Sequence, residues 1–264
     1  MKTPLSYYGG KQQLAKTILG MIPEHDLYCE PFIGGAAVFF AKEPSKVEVI
    51  NDTNGELINF YEALKRDFTA LQREVEISLH SRRLHEHARI IYNHPELFDR
   101  IKRAWAVWML ANSSYGCMLD GGFGYDRSHG STTKKMANKR EDFSHEYAIR
   151  LANAQIECCD ALKVIRSRDK EGAFFYCDPP YVGTDQGHYD GYTQKDFDAL
   201  LSLLERIKGK FLLSSFRNGS LANFAKKNGW HTFERRMASA MTARTGSREK
   251  VEVFTANYPI RAPE

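Results

Sequence analysis

The stretch from Leu27 to Asp52 constrains the fold more than any other part of this chain. Leu27 to Phe32 reads as a short strand and runs into Gly34-Gly35, and Ala36 to Ala41 reads as a helix. Lys46 to Ile50 alternates polar and apolar residues, as a half-buried strand does, and stops at Asn51-Asp52. A helix is predicted next, from about Asn54 to Leu64. Strand, glycine turn, helix, strand and acid, in that order, begin a βαβ unit.

The flanking sequence extends this pattern. Gly9-Gly10 opens a predicted helix over Lys11 to Ile22, with Leu14, Ile18, Leu19 and Ile22 on one face. From Phe68 to Arg103 the pattern is helical and polar, and Ala104 to Ala111 is an apolar helix end. Asn112 to Gly116 and Asp120 to Tyr125 are rich in turn formers and aromatics, and the polar Ser131 to Arg140 follows, so this region reads as a loop or hairpin excursion. A helix resumes over Phe143 to Ala154. Strands are predicted at Gln155 to Cys158, Ala173 to Cys177, Lys210 to Phe216, Trp230 to Arg235 and Lys250 to Tyr258. Thr193 to Asp196 has the form of a capping box ahead of a helix with Phe197, Leu200, Leu201 and Leu204 on one side. Strands alternating with helices at both ends imply an α/β sheet interrupted by a mainly helical insertion.

At 264 residues the chain is one large domain or a core with one sizeable insertion. No apolar run approaches the roughly 18 residues of a membrane span, and Met1-Lys2-Thr3-Pro4 does not lead into the apolar stretch of a signal peptide. The expectation is a soluble, cytoplasmic protein. The five cysteines show no Cys-x-x-Cys spacing and read as free, buried thiols. Net charge is +4, yet Arg82 to Arg140 holds eleven basic residues against five acidic ones, leaving the remainder slightly negative. Such a segment suits phosphate contacts, and equally a solvated helical face.

Asp178-Pro179-Pro180-Tyr181 carries the most chemistry. It follows a predicted strand, and in open α/β sheets ligands bind beyond the carboxyl ends of strands. Two prolines cannot continue a helix and leave neighbouring carbonyls without an internal partner. A carboxylate and a carbonyl beside an aromatic ring suit a planar heterocycle with an NH₂ group, the ring lying on Tyr181. A simple Pro-Pro turn with Tyr181 in the core is the alternative. Asp52, roughly 20 residues past the glycine turn, is placed either to accept from two ribose hydroxyls or to cap a helix. Lys11 lacks the surroundings of a phosphate-binding loop, since the first glycine is missing and Gln12 stands where Ser or Thr is needed, which argues against an ATPase. His80, His85, His87 and His94 have no zinc-like spacing and read as a solvated helix face, with no metal expected. Cys177 has no covalent role, and the Pro-Cys pair of cytosine C5 chemistry is absent. Gly183, Gly187 and Gly191 punctuate a loop, Val182 to Tyr192, which either closes over a substrate or is only a surface loop.

Tyr28-Cys29-Glu30-Pro31-Phe32-Ile33-Gly34-Gly35-Ala36, together with Asp178-Pro179-Pro180-Tyr181, resembles the Dam-family (alpha-group) DNA adenine N6-methyltransferases. Tyr7-Tyr8-Gly9-Gly10-Lys11 resembles the family's N-terminal cofactor motif, Asn51-Asp52 its ribose-binding acid, and Cys159-Asp160-Ala161 the segment against the cofactor's adenine. Asn112 to Arg127 resembles its target-recognition hairpin, and Arg248 to Tyr258 its closing strands. Ala36 departs from the usual glycine spacing. The resemblance implies a Rossmann-like methyltransferase sheet, with residues 1–66 and 150–264 catalytic and 67–149 an inserted, mainly helical recognition domain. It further implies S-adenosylmethionine as cofactor and methyl transfer to N6 of a flipped-out adenine in double-stranded DNA, with cytosine N4, an RNA base or a non-catalytic binder of the same fold as alternatives. Asp178, Pro179, Pro180 and Tyr181 are the expected catalytic residues. Tyr7, Lys11, Glu30, Phe32, Gly34, Gly35, Asp52, Asp160 and Asp178 are expected at the cofactor. Asn112, Ser114, Tyr115, Arg127, Lys134, Lys135, Lys139 and Arg140 are expected at DNA. A bacterial, phage or mobile-element origin and a cognate restriction endonuclease are further expectations.

Overall fold

A computed structural model of the chain describes residues 1–183, 191–237 and 250–260. Seven strands form its centre: β1 (Leu27–Glu30), β2 (Val47–Asn51), β3 (Ala154–Glu157), β4 (Ala173–Cys177), β5 (Lys210–Ser215), β6 (His231–Met237) and β7 (Lys250–Ala256). The described α-helices are α1 (Ala15–Met21), α2 (Ala37–Ala41), α3 (Gly55–Arg66), α4 (Phe68–Glu76), α5 (Arg82–Asn93), α6 (Arg100–Ser113), α7 (Ser131–Glu141), α8 (Glu146–Leu151), α9 (Ala161–Arg168), α10 (Gln194–Leu204) and α11 (Gly219–Asn228).

The sheet order is β3-β2-β1-β4-β5-β7-β6, an open, mostly parallel α/β arrangement. Strands β1 to β5 pair in parallel, and β7 runs antiparallel between β5 and β6. The chain builds outward from β1 to β3 and then returns to place β4 on the other side of β1. That reversal opens the crevice in which such sheets bind ligands. Alternation along the central strands divides the core. Tyr28, Phe174 and Tyr176 join the cluster that includes α1 to α6 and α8, while Cys29, Phe175 and Cys177 pack with α9, α10 and α11. All five residues of β4 are buried, as a strand covered on both faces requires.

The helices between β2 and β3 share this first cluster instead of forming a core of their own. Their spine is α6, buried continuously from Ala104 to Ser113. The expected first helix starts later than Lys11: a turn closed by Leu14 N–H on the Lys11 carbonyl precedes Ala15. Lys11 thereby sits in the turn.

One expectation is overturned outright. Ser131 to Arg140, read as part of a loop excursion, forms helix α7. Asp126 explains it: its carboxylate accepts the backbone N–H groups of His129, Gly130 and Thr132 and the hydroxyls of Ser131 and Thr132. These bonds hold Asp126 far below the usual carboxylate range. Met136 then anchors the helix in the core. Of the five free thiols only Cys29 and Cys177 are buried, and Cys158 is exposed, because it lies past the end of β3.

Candidate active site

A cleft of about 1040 Å³ opens at the carboxyl ends of β1 and β4. Pro31 has no N–H to continue the ladder, so β1 ends at Glu30 and the chain turns through Ile33 to Ala36. Two carbonyl contacts brace this turn: Ile33 N–H donates to the Asn51 carbonyl at 2.8 Å and the Tyr61 hydroxyl to the Gly34 carbonyl at 2.6 Å. A Cβ on Gly35 would lie 2.6 Å from Tyr7 Cβ, so the glycine there admits the Tyr7 side chain. Ala36 has φ 56°, a left-handed conformation that costs an alanine roughly 1–2 kcal/mol and that glycine adopts freely.

Asp52 is 3% exposed as a residue, and its carboxylate accepts the N–H of Gly34 at 3.0 Å and of Asn54 at 3.0 Å. Capping of α3 falls instead to Asn54, which accepts from Glu56 and Leu57. Asp52 therefore ties β2 to the glycine turn while still lining the cleft. Asp160 caps α9 through the N–H of Lys163 and lines the same cleft beside Phe32. Glu30 is buried, takes the Tyr28 hydroxyl at 2.5 Å, and is pushed up to about 8 chiefly by burial.

Around Asp178 the polar groups are closely coupled. Lys11 Nζ lies 2.8 Å from Asp178 Oδ1, 3.6 Å from Glu252 Oε1 and 5.0 Å from the centre of the Tyr181 ring. The Tyr181 hydroxyl donates to Asp178 Oδ1 at 3.1 Å and to Glu252. Phe216 meets the Tyr181 ring edge-on at 4.5 Å. Lys11 is buried and Asp178 only partly exposed, so removing either partner leaves a charge with little water to solvate it. Among the described residues neither Asp178 Oδ2 nor the Pro179 carbonyl accepts a hydrogen bond. Two acceptors at the end of β4, on residues that line the cleft, are thus left without a donor among the described residues. Cys177, fully buried behind them, has its thiol held well above the usual range, which fits a packing role.

The expected DNA contacts divide. Ser114 and Phe123 form an antiparallel bridge, and Tyr115 N–H donates to the Gly122 carbonyl at 2.8 Å, so a hairpin is present. Tyr115 (60% exposed), Arg127, Lys134 and Lys135 point outward. Asn112 and Ser114 do not. The Asn112 side chain is spent on Ser6 N–H and on the Pro4 and Trp108 carbonyls, and the Ser114 hydroxyl on His85. Both are corrected to structural positions, since a buried polar group is held by its partners. Lys139 donates to the Thr3 carbonyl and Arg140 to the Ser78 carbonyl at 3.1 Å, so neither is a free phosphate clamp. Burial lowers Lys139 to about 8. The expected solvated histidine face holds for His87 and His94, which are exposed, and is corrected for His85, 1% exposed, and for His80, which is half-buried against Phe123 at 4.7 Å.

Two residues escaped the sequence. Glu252 stands in a strand that alternates as Val251, Glu252, Val253, and an acid flanked by apolar strand residues was its one available signal. Arg82, counted only as charge, is exposed and lies over the Phe123 and Tyr125 rings at 5.0 and 5.5 Å. Among the described residues, no group of His, Cys, Asp or Glu is placed to hold a metal ion, and no helix is long and apolar enough to cross a membrane.

Sheet order and cleft together define a Rossmann-like methyltransferase. The chain belongs to the family of D12 class N6 adenine-specific DNA methyltransferases, which it matches over residues 7–237. It is similar to the type II methyltransferase M1.LlaDCHI of Lactococcus lactis subsp. cremoris, with 26% identity covering 95% of this chain and 93% of that protein. The retron Ec67 DNA adenine methylase of Escherichia coli is 24% identical, with 97% and 92% covered. A DNA adenine methylase of Vibrio cholerae serotype O1 is 26% identical, with 67% and 64% covered. The chain is therefore a site-specific DNA methyltransferase acting at N6 of adenine, and the cytosine, RNA and non-catalytic alternatives fall away.

Proposed function

We propose that this enzyme takes its methyl group from S-adenosylmethionine held in the cleft between β1 and β4, and delivers it to an adenine rotated out of double-stranded DNA. The residues present fit that cofactor. Glu30, Asp52, Asp160, Asp178, Asp196 and Glu252 line the cleft against a single described basic side chain, Lys11, which suits a ligand carrying ammonium and sulfonium charges and disfavours a polyphosphate. Asp52 and Asp160 would hold its ribose and adenine, Phe32 its rings, and Glu30, Tyr7 and the Gly34-Gly35 turn its methionine part. When bound, it supplies an electrophilic methyl carbon.

The chain's own residues orient the nucleophile. An exocyclic amine is weak because its lone pair is delocalised into the ring. Asp178 Oδ2 and the Pro179 carbonyl can accept both amine hydrogens, leaving the lone pair directed at the methyl carbon, with Tyr181 stacked on the base and Pro180 stiffening the turn. Rotation of the base costs a few kcal/mol, offset by these contacts. The observation that carries the reading is that pair of acceptors at the end of β4. Asp178→Ala is expected to lower methyl transfer by about a hundredfold or more, roughly 3 kcal/mol of transition-state stabilisation, while cofactor binding stays within a few-fold. Wild-type turnover in a radiolabel transfer assay would overturn it.

Residues 1–66 and 150–264 would serve catalysis, and 67–149 target recognition. Tyr115, Arg127, Lys134 and Lys135 face outward, and Lys135 reaches Cys117, the neighbour of the cleft-lining Gly116. Arg82, carried on two rings, joins them as a pre-oriented guanidinium for phosphate or a base edge. The type II designation of the Lactococcus relative supports a setting in which an endonuclease reads the same site.

A further inference from the structure

The two donors that hold Asp178 Oδ1 are both shared. Lys11 Nζ and the Tyr181 hydroxyl each lie against Asp178 and also against Glu252 Oε1. Glu252 comes from another part of the sheet. Because β7 is antiparallel to β5, with Val253 opposite Ser215, its first residues lie at the carboxyl end of the parallel strands, beside Phe216. Its side chain is 6% exposed, and Tyr181 fixed to it meets Phe216 edge-on. Arg235, opposite Glu252 on β6, is turned to the Thr17 hydroxyl.

We propose that Glu252 is a positioning residue that receives the Lys11 ammonium and the Tyr181 hydroxyl when the target amine engages Asp178. The inference rests on the reading of Asp178 as the amine's acceptor. A hydroxyl has one proton and can bond fully to only one of two carboxylates. With a single carboxylate, Lys11 and Tyr181 would both stay on Asp178 Oδ1 and draw negative charge away from the Oδ2 that meets the amine. With two, both donors can move to Glu252 without being left unpaired in a buried site, where an orphaned charge is costly. As N6 gains the methyl group and the bond from that carbon to sulfur breaks, its electron pair staying on sulfur, the nitrogen must shed one proton. Asp178 Oδ2 accepts it and later returns it to water. Glu252 takes no proton from the substrate; it keeps Asp178 accessible and the Tyr181 ring in place.

The groups facing Glu252 are Lys11, Asp178 and Tyr181, with Tyr176 coupled to it electrostatically, and burial is the main cause raising its carboxyl above the ordinary range. It must be ionised to hold both donors. Turnover should therefore fall as pH drops through the titration of Glu252.

The test compares wild type with Glu252→Gln, Glu252→Asp, Tyr181→Phe and Asp178→Ala on duplex DNA with S-adenosylmethionine. For Glu252→Gln the expected result is a kcat lowered about ten- to a hundredfold, with cofactor Kd and DNA KM within about threefold and the acid limb of the kcat–pH profile gone. Glu252→Asp should recover much of the rate and keep the limb. Adding Tyr181→Phe to Glu252→Gln should cost little more, because both act on one acceptor pair. Wild-type kcat in Glu252→Gln, or an unchanged acid limb at reduced rate, would overturn the proposal. If Glu252→Gln does not fold, Tyr181→Phe decides: loss of the hydroxyl that Glu252 accepts should move the acid limb to higher pH, and an unmoved limb would overturn the proposal. An active Asp178→Ala would remove the underlying reading, whereas an inactive Asp178→Ala beside a fully active Glu252→Gln would remove this proposal alone.

Discussion

Glu30 shows how one buried carboxyl couples the cleft to pH. In the folded chain it keeps its proton up to about 8, whereas in the unfolded chain it releases it near 4.5. Between those limits the folded state binds more protons, so this group's contribution to stability declines as pH rises through the window. A cationic ligand beside Glu30 reverses the preference and favours the carboxylate. Affinity for S-adenosylmethionine is therefore expected to strengthen from pH 6 to about 8 and then level off, with proton release on binding. Calorimetry in buffers of different ionisation enthalpy would detect that release, and Glu30→Gln should bind more weakly with no such slope. At this scale the sequence was uneven. Asp178 and Tyr181 stood out because a proline pair after a strand leaves acceptors bare. Asn112 and Ser114 misled, since a polar residue in a turn-rich stretch looks the same whether it faces DNA or the Pro4 carbonyl and His85.

Among the elements, the turn after β1 is the most exacting. Gly35 has no room for a methyl group beside Tyr7, and Asp52 pins the Gly34 N–H from the next strand. Gly35→Ala is expected to lose about 1–3 kcal/mol of stability through overpacking and to weaken cofactor binding in step, because Tyr7 or the turn must shift. Chemical denaturation beside a cofactor titration would show both, and an unchanged midpoint would mean that the N-terminal segment yields easily. Strands β1, β2, β4 and β5 were legible because alternation or continuous apolar runs mark them. Helix α7 was hidden for a physical reason. Its stripe is a single buried methionine, and its start is secured by an aspartate that lies five residues upstream of Ser131, outside the usual capping position.

For the whole molecule, the basic excess between Arg82 and Arg140 divides into exposed charges and charges tied into the fold. Lys139 and Arg140 are tied to carbonyls of the fold, whereas Arg127, Lys134 and Lys135 are exposed. Replacing those three with Gln should weaken binding to cognate and scrambled duplexes alike and flatten the plot of log affinity against log salt by roughly 0.9 per lost contact. Fluorescence anisotropy over a salt series measures the slope, and an unchanged slope would move the DNA path to another face. The sheet order was not readable in advance, because it depends on pairings between strands more than a hundred residues apart, such as β1 with β4. The place of β7 has a consequence for biosynthesis. β6 leaves the ribosome before β7, yet its only described ladder partner is β7, which must slot in between it and β5. A nascent chain that has emerged only as far as β6 can assemble the β1–β5 half of the cleft but lacks the acid that steadies Tyr181. Newly made enzyme would stay silent until its final hairpin closes, and the order of translation would itself delay the first methylation.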